Sequence, residues 1–147
     1  MTTAKAKRTL RSRLAIIAVL PSFVIASTTA YAEDNLPSAS FTAAQAQRGH
    51  DQYRRNCLDC HGENLDDGEF GGAPLRGNSF RSKWFDSNAD FLFDYMQAAM
   101  PPDRPGTLSD ATYADILAYV LSRNNVAAGS AELPSNFDAL AELMIRQ

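Results

Sequence analysis

The feature that most constrains this chain of 147 residues is the pentapeptide Cys57-Leu58-Asp59-Cys60-His61. It holds both cysteines of the chain, and one of the two histidines follows them directly. The C-x-x-C-H pattern is the attachment sequence for covalent haem of the c type. Two thiols at this spacing can bond both vinyl groups of one porphyrin while the adjacent imidazole reaches the iron. The motif therefore predicts one covalent haem c, attached through Cys57 and Cys60 and ligated by His61.

Other uses of this cysteine pair are possible. A disulfide between Cys57 and Cys60 would close a very small loop and would constrain the unfolded chain little. A thioredoxin-like redox pair belongs in a βαβ unit, and the sequence lacks that pattern. A zinc site would need two further ligands, which only His50 and acidic residues could supply. We favour haem, and these alternatives stay open.

The first 32 residues differ in composition from the rest of the chain. They hold five of the fourteen basic residues and no acidic residue, followed by an apolar run over 14–26 and the small-residue end Ala30-Tyr31-Ala32. This order is typical of a secretory signal peptide, cleaved here after Ala32. A membrane anchor would need about 20 apolar residues, and the run is shorter and contains Pro21. We therefore expect residues 33–147 to form an exported, periplasmic domain without stable membrane insertion.

The charge of the predicted mature domain narrows the choice of partners. Residues 33–147 keep nine basic residues against seventeen acidic ones, a formal net charge of −8. Neutralising phosphates needs clustered Lys and Arg, so nucleic acid and anionic lipid are poor candidates. From the net charge we expect a partner surface that is basic or apolar.

Hydrophobic periodicity and capping residues predict helices over 42–56, 87–100 and 109–123. Thr42 and Gln45 are expected to form a capping box at the first helix, and Gly49 indicates a close approach by another segment. The stretch from Gly62 to Asp86 lacks periodicity and predicts a long irregular connection around a ligand. A C-terminal tail begins at about residue 124. Its apolar residues at helical spacing are Phe137, Leu140 and Met144.

Over about residues 42–123 the chain resembles class I c-type cytochromes. The resemblance rests on the haem motif, on Gly49 and Tyr53 before it, and on Met100-Pro101 and Ala118-Tyr119 after it. It implies an all-α fold of three to five helices wrapped around one covalent haem, in which the first and last helices cross at the glycine. The segment 100–109 is similar, more narrowly, to cytochromes that accompany quinoprotein alcohol dehydrogenases.

The sixth ligand of the iron is expected to be Met100. Pro101 disfavours helical geometry at Met100, so this side chain lies at a helix exit and can leave the packed face. Met96, Met144, His50 or no ligand are the alternatives. The resemblance further implies that the carbonyl of Pro74 accepts the proton of His61, and that Trp84 donates to a haem propionate.

Iron held by His61 and Met100 would have no open position for oxygen or peroxide, and thioether ligation would favour the ferrous state. We therefore expect an electron carrier and no enzyme, passing single electrons from a dehydrogenase to a terminal oxidase or other acceptor. Lys83 is the only lysine after residue 32, so docking through a lysine-rich haem edge, as in some relatives, is not available. A haem enzyme or gas-binding protein with a displaceable sixth ligand is the alternative, and a non-haem disulfide or interaction module is a third possibility.

Overall fold

The computed structural model describes residue 1 and residues 36–147. Apart from residue 1, the predicted signal peptide lies outside the described residues, and so does its cleavage site after Ala32. The described part contains six helices: α1 (Ala43–Asn56), α2 (Leu58–His61), α3 (Gly77–Trp84), α4 (Ala89–Ala99), α5 (Asp110–Arg123) and α6 (Phe137–Ala141).

The predicted all-α class is confirmed. Extended pairing within the described residues is limited to isolated bridges from Met144 to Ser38 and to Asn88. The helix count exceeds the expected three to five because α2 and α6 are single turns of four and five residues. None of the helices in the described ranges has the length and apolar character needed to cross a membrane.

Helices α1 and α5 cross in direct contact at Gly49, as the resemblance implied. A Cβ atom at Gly49 would overlap the carbonyl oxygen of Asp115 and would lie 2.9 Å from the Cβ of Tyr119. The rings of Tyr53 and Tyr119 pack beside the crossing with their centroids 5.2 Å apart. At the edge of the contact, the Arg48 guanidinium donates two hydrogen bonds of 3.0 Å to the Asp115 carboxylate. Only a residue without a side chain permits this approach.

Helix α5 is the most deeply buried element. Eight of its fourteen residues are buried, namely Tyr113, Ala114, Ile116, Leu117, Ala118, Tyr119, Val120 and Leu121. This set is wider than the stripe expected for a helix with one solvent face, because both α1 and α4 pack against α5. Ser109 caps its start by accepting a hydrogen bond of 3.2 Å from the amide of Thr112, and α5 ends at Arg123, both as predicted.

The capping box predicted for α1 is only half correct. The Thr42 hydroxyl accepts a hydrogen bond of 3.0 Å from the amide of Gln45, as expected. The Gln45 side chain is buried and turned away from the cap, since its amide group bonds both the carbonyl and the amide of Leu133, at 2.9 and 2.7 Å. A distant backbone segment therefore replaces the local partner.

Helix α4 begins at Ala89, two residues later than predicted. Asn88 is the N-cap residue, and the Ser87 hydroxyl instead donates a hydrogen bond of 2.7 Å to the carbonyl of Trp84, the last residue of α3. The predicted end of α4 is correct. Met100 follows the helix in extended geometry, with φ −127° and ψ 143°.

The prediction of an irregular connection over 62–86 is wrong for residues 77–84, which form α3. Phe80 is the one buried residue of this helix, so the sequence has no apolar periodicity from which the helix could be predicted. Its start is supported from another part of the chain. The buried Asn124 accepts a hydrogen bond from the amide of Gly77, at 3.2 Å, and donates to the carbonyls of Leu75 and Val120, at 2.8 and 2.9 Å.

The C-terminal tail packs on the body through buried apolar residues, including Leu133, Leu140 and Ile145. Helix α6 contacts α4. The expected helical spacing holds only in part. Phe137 is exposed, and Met144 lies beyond α6, where its backbone pairs with Pro37 and Ala39.

Replacing Gly49 with Ala should lower the free energy of unfolding by about 2–3 kcal/mol, because the added Cβ forces the α1–α5 crossing apart. Denaturant titration of the haem-loaded protein measures the change. Gln47→Ala, at an exposed position of α1, should shift stability by less than about 0.5 kcal/mol. Equal stability of Gly49→Ala and the parent protein would contradict the crossing.

Asn124→Ala should cost about 1–3 kcal/mol of stability, since it removes the partner of a buried carbonyl at Val120 and of partly buried hydrogen bonds at Leu75 and Gly77. The same titration compares it with Asn78→Ala, an exposed change in the first turn of α3 that should be nearly neutral. If the two variants lose equal stability, Asn124 does not anchor α3.

Candidate functional site

One cavity collects every site residue predicted from the sequence. It has a volume of about 500 Å³, within the range of about 300–1,000 Å³ typical of cofactor sites. The predicted site residues that line it are Cys57, Cys60, His61, Pro74, Trp84 and Met100. They come from the end of α1, from α2, from the loop before α3, from the end of α3 and from the exit of α4.

The body of the cavity is apolar. Large hydrophobic side chains form its walls, namely Leu75, Phe80, Leu92, Ile116 and Val120. Four of these five residues are also buried members of the core, so the cavity continues the core of the fold. A large apolar group bound here would be kept from water, as a porphyrin ring requires.

The cysteine pair lies at the junction of α1 and α2. Cys57 is the C-cap residue of α1, and the amide of His61 donates a hydrogen bond of 2.9 Å to its carbonyl, which closes the single turn of α2. This turn brings Cys57, Cys60 and His61, at positions i, i+3 and i+4, to the same side of the chain. The short helix therefore presents two sulfurs and one imidazole to the cavity together.

Both cysteines are free thiols. Burial, with a smaller contribution from the neighbouring Cys60, raises the pKa of the Cys57 thiol to about 12. A thioredoxin-like pair depends on a thiol whose pKa is lowered. The raised pKa therefore argues against a thioredoxin-like redox pair at this position.

His61 is buried and held in one orientation. Its Nδ1 lies 2.8 Å from the carbonyl oxygen of Ala73, so Nδ1 carries the proton and Nε2 stays available to a metal. Burial lowers the pKa of the imidazole, which favours the neutral form that binds metals. Pro74 was expected to supply this carbonyl, and that prediction is wrong by one residue, although Pro74 does line the cavity.

The displacement from Pro74 to Ala73 has a backbone cause. The amide of Gly72 donates a hydrogen bond of 2.9 Å to the carbonyl of Cys60, and this bond sets the register of the loop against α2. A Cβ atom at Gly72 would lie 2.9 Å from Nδ1 of His61, so a side chain there would crowd the ring. In the sequence, Gly72 is one of several glycines in the irregular stretch from Gly62 to Asp86. Its position within a Gly-Gly pair close behind the motif was the available signal.

The candidates for the sixth ligand are separated by the fold. Met96 and Met100 line the cavity, whereas His50 and Met144 do not. The ring of His50 packs against Tyr119, with centroids 5.0 Å apart, and the backbone of Met144 is paired with the segment around Ser38. With His50 outside the cavity, the zinc interpretation also loses its proposed third ligand. Among the described residues, no group of three or more His, Cys, Asp or Glu is arranged to hold a metal ion.

The segment that carries Met100 is tied to α5. The hydroxyl of Tyr113 donates a hydrogen bond of 2.6 Å to the Met100 carbonyl. This role of Tyr113 could not be predicted from the sequence, because a buried tyrosine gives no sign of where its hydroxyl points. The extended backbone at Met100 is therefore supported from the neighbouring helix.

Trp84 lies at the edge of the cavity. Its ring packs against Tyr95 at 5.4 Å, and the Lys83 ammonium lies 4.6 Å from the ring centroid. The indole N–H has no hydrogen-bond acceptor within residues 36–147. It can therefore donate to a carboxylate of a bound cofactor. The apolar walls, the paired thiols, the oriented imidazole and this unused donor together fit a covalent haem.

Comparison with known proteins supports the same cofactor. The family model described as cytochrome c oxidase, cbb3-type, subunit III matches residues 44–120, which is more than half of the chain. Neither curated proteins nor solved structures gave a match. The matched range includes both cysteines, His61 and Met100, and it implies covalent haem c and electron transfer. The protein therefore belongs to the family of cytochrome c oxidase, cbb3-type, subunit III, and is a haem protein that transfers electrons.

Proposed function

We propose that this protein is a periplasmic single-electron carrier whose haem iron is held by His61 and Met100. The observation that carries the proposal is that both residues line the same apolar cavity as Cys57 and Cys60. The haem supplies one-electron exchange. The residues of the chain hold, orient and shield that group.

The residues of the cavity hold both ligands and exclude water. The carbonyl of Ala73 fixes the orientation of His61, and extended backbone releases Met100 from α4. Ligation by two side chains leaves no position for oxygen or peroxide. Fixed ligands on a packed helical shell also keep the geometry similar in both oxidation states, so electron exchange needs little rearrangement. No catalytic acid, base or nucleophile is required.

Export and partner class complete the proposal. The predicted signal peptide and cleavage after Ala32 support a periplasmic location. The segment 100–109 resembles the cytochromes of quinoprotein alcohol dehydrogenases, which supports a dehydrogenase of that class as the electron donor. A terminal oxidase is a suitable acceptor. Copurification of the haem-loaded protein from periplasmic extract with such a dehydrogenase tests the donor.

Met100→Ala should remove the weak charge-transfer absorption that a thioether bond to ferric iron gives at the red end of the visible spectrum. The ferrous variant should then bind carbon monoxide, which the parent protein should bind poorly. Met96→Ala, a change of the same type in the same cavity, should keep the absorption band. Loss of the band in Met96→Ala alone would transfer the ligand role to Met96.

The same spectra test the alternative function. A parent protein that lacks the band and binds carbon monoxide readily would have an open or easily displaced sixth position. That result would favour the haem enzyme or gas-binding protein over the carrier.

The rim of the cavity differs in charge from the domain as a whole. Four of the nine basic residues of the predicted mature domain line the cavity, namely Arg54, Arg55, Lys83 and Arg104, against two acidic residues, Asp59 and Asp103. Asp103 is paired with Arg104 at 2.9 Å. Arg54 and Arg55 are exposed and form no ion pair within the described residues. Phe70, 74% exposed, adds an apolar contact.

This rim supports docking of a partner surface that is acidic or apolar, which revises the expectation drawn from net charge alone. Charges near the docking surface act more strongly than distant ones, because salt screens interactions beyond about 8–10 Å. The unpaired Arg54 and Arg55 therefore give this part of the rim a local positive charge, although the predicted mature domain carries −8 overall.

Small redox ions of opposite charge can report the local charge. Oxidation of the ferrous protein by anionic ferricyanide should slow as ionic strength rises, and oxidation by a cationic cobalt(III) phenanthroline complex should accelerate. Arg54→Glu should weaken both salt effects. Arg123→Glu, an equal charge reversal at an exposed helical arginine outside the cavity, should leave them nearly unchanged. Identical behaviour of both variants would show that electrons do not leave through this rim.

A further inference from the structure

The hydroxyl of Tyr113 is aimed at the Met100 segment by a rigid environment. Tyr113 is 1% exposed, and its ring packs edge-on against Phe93 with centroids 6.4 Å apart. The residue lies in the first turn of α5, the helix most deeply embedded in the core. Because the ring cannot move freely, its 2.6 Å hydrogen bond to the Met100 carbonyl fixes that carbonyl relative to α5.

The other side-chain hydrogen bonds of this segment are exposed to water. The Arg104 guanidinium donates to the Asn56 side chain at 3.0 Å, and the Thr107 hydroxyl donates to the Arg104 carbonyl at 2.8 Å. The side-chain amide of Gln97, near the end of α4, donates a hydrogen bond of 2.6 Å to the carboxylate of Asp110, the first residue of α5. Exposed polar contacts of this kind contribute little, since water competes for the same groups. The Tyr113 hydroxyl therefore makes the best-shielded side-chain hydrogen bond to the segment, beside the backbone bond of 2.9 Å from the Met100 amide to the Met96 carbonyl, which holds Met100 to α4 and not to α5.

We propose that Tyr113 is a positioning residue that holds Met100 at the iron and so limits the binding of external ligands to the sixth position. The proposal rests on ligation by Met100, the proposed function of this site. Displacement of Met100 by an external ligand requires the segment to move away from α5. A ligand that competes with Met100 must then also break the bond from Tyr113.

Tyr53 offers a matched control. It is also 1% exposed, and its hydroxyl donates a hydrogen bond of 2.7 Å to the carbonyl of Gly62, the residue after His61. Tyr53→Phe and Tyr113→Phe therefore delete the same atom and the same type of bond, from a tyrosine hydroxyl to a backbone carbonyl. They differ in the ligand whose neighbouring backbone is released, which is His61 for Tyr53 and Met100 for Tyr113.

The test is a titration of the ferric, haem-loaded proteins with imidazole. Loss of the charge-transfer band measures the binding of imidazole. Tyr113→Phe should bind imidazole about 3- to 10-fold more tightly than the parent protein, which corresponds to a hydrogen bond of ordinary strength. Its band should be intact before imidazole is added. Tyr53→Phe should stay within about twofold of the parent, although denaturant titration should show a similar loss of stability in both variants.

The outcomes separate the two proposals. If the parent protein shows the band and Tyr113→Phe binds imidazole with the affinity of the parent, the role of Tyr113 is overturned and Met100 ligation stands. Equal tightening in both variants would show that Tyr113 stabilises the fold in general, and this also overturns the proposal. A parent protein without the band would overturn Met100 ligation and the role of Tyr113 with it.

Discussion

The crossing of α1 and α5 at Gly49 is the contact on which the site depends. It sets how deeply the C-terminal end of α1 lies against α5, and that end carries Cys57. The adjoining face of α5 supplies Ile116 and Val120 to the cavity. A side chain at Gly49 would overlap backbone that cannot yield, so the separation of these two helices determines the space available to the haem.

Around this frame, three backbone carbonyls and their partners place the candidate ligands. Ala73 accepts from the imidazole of His61, Tyr53 donates to the carbonyl after His61, and Tyr113 donates to the carbonyl of Met100. Hydrogen bonds beyond the ligands themselves orient metal ligands and tune the metal. In this protein the two tyrosines come from the two crossing helices, so the core contact and the ligand positions are mechanically linked.

Local signals predicted much of this site, because haem attachment needs five consecutive residues and helix ends need caps within a few residues. The motif around Cys57 and the caps at Thr42 and Ser109 belong to this class. Contacts between distant residues could not be predicted. Asn124 supports the start of α3 from 47 residues away, and Gln45 bonds Leu133 across 88 residues. The positive charge of the cavity rim could not be predicted either, since a net charge does not show where the paired and unpaired arginines lie.

The central claim is that one haem is bonded to the chain through the sulfurs of Cys57 and Cys60. Intact mass measurement of the fully denatured protein, after expression with haem maturation factors, tests it most directly. The account predicts the mass of the polypeptide plus one haem, and the loss of that covalent complement when both cysteines are replaced by alanine. A denatured protein with the mass of the polypeptide alone would contradict it.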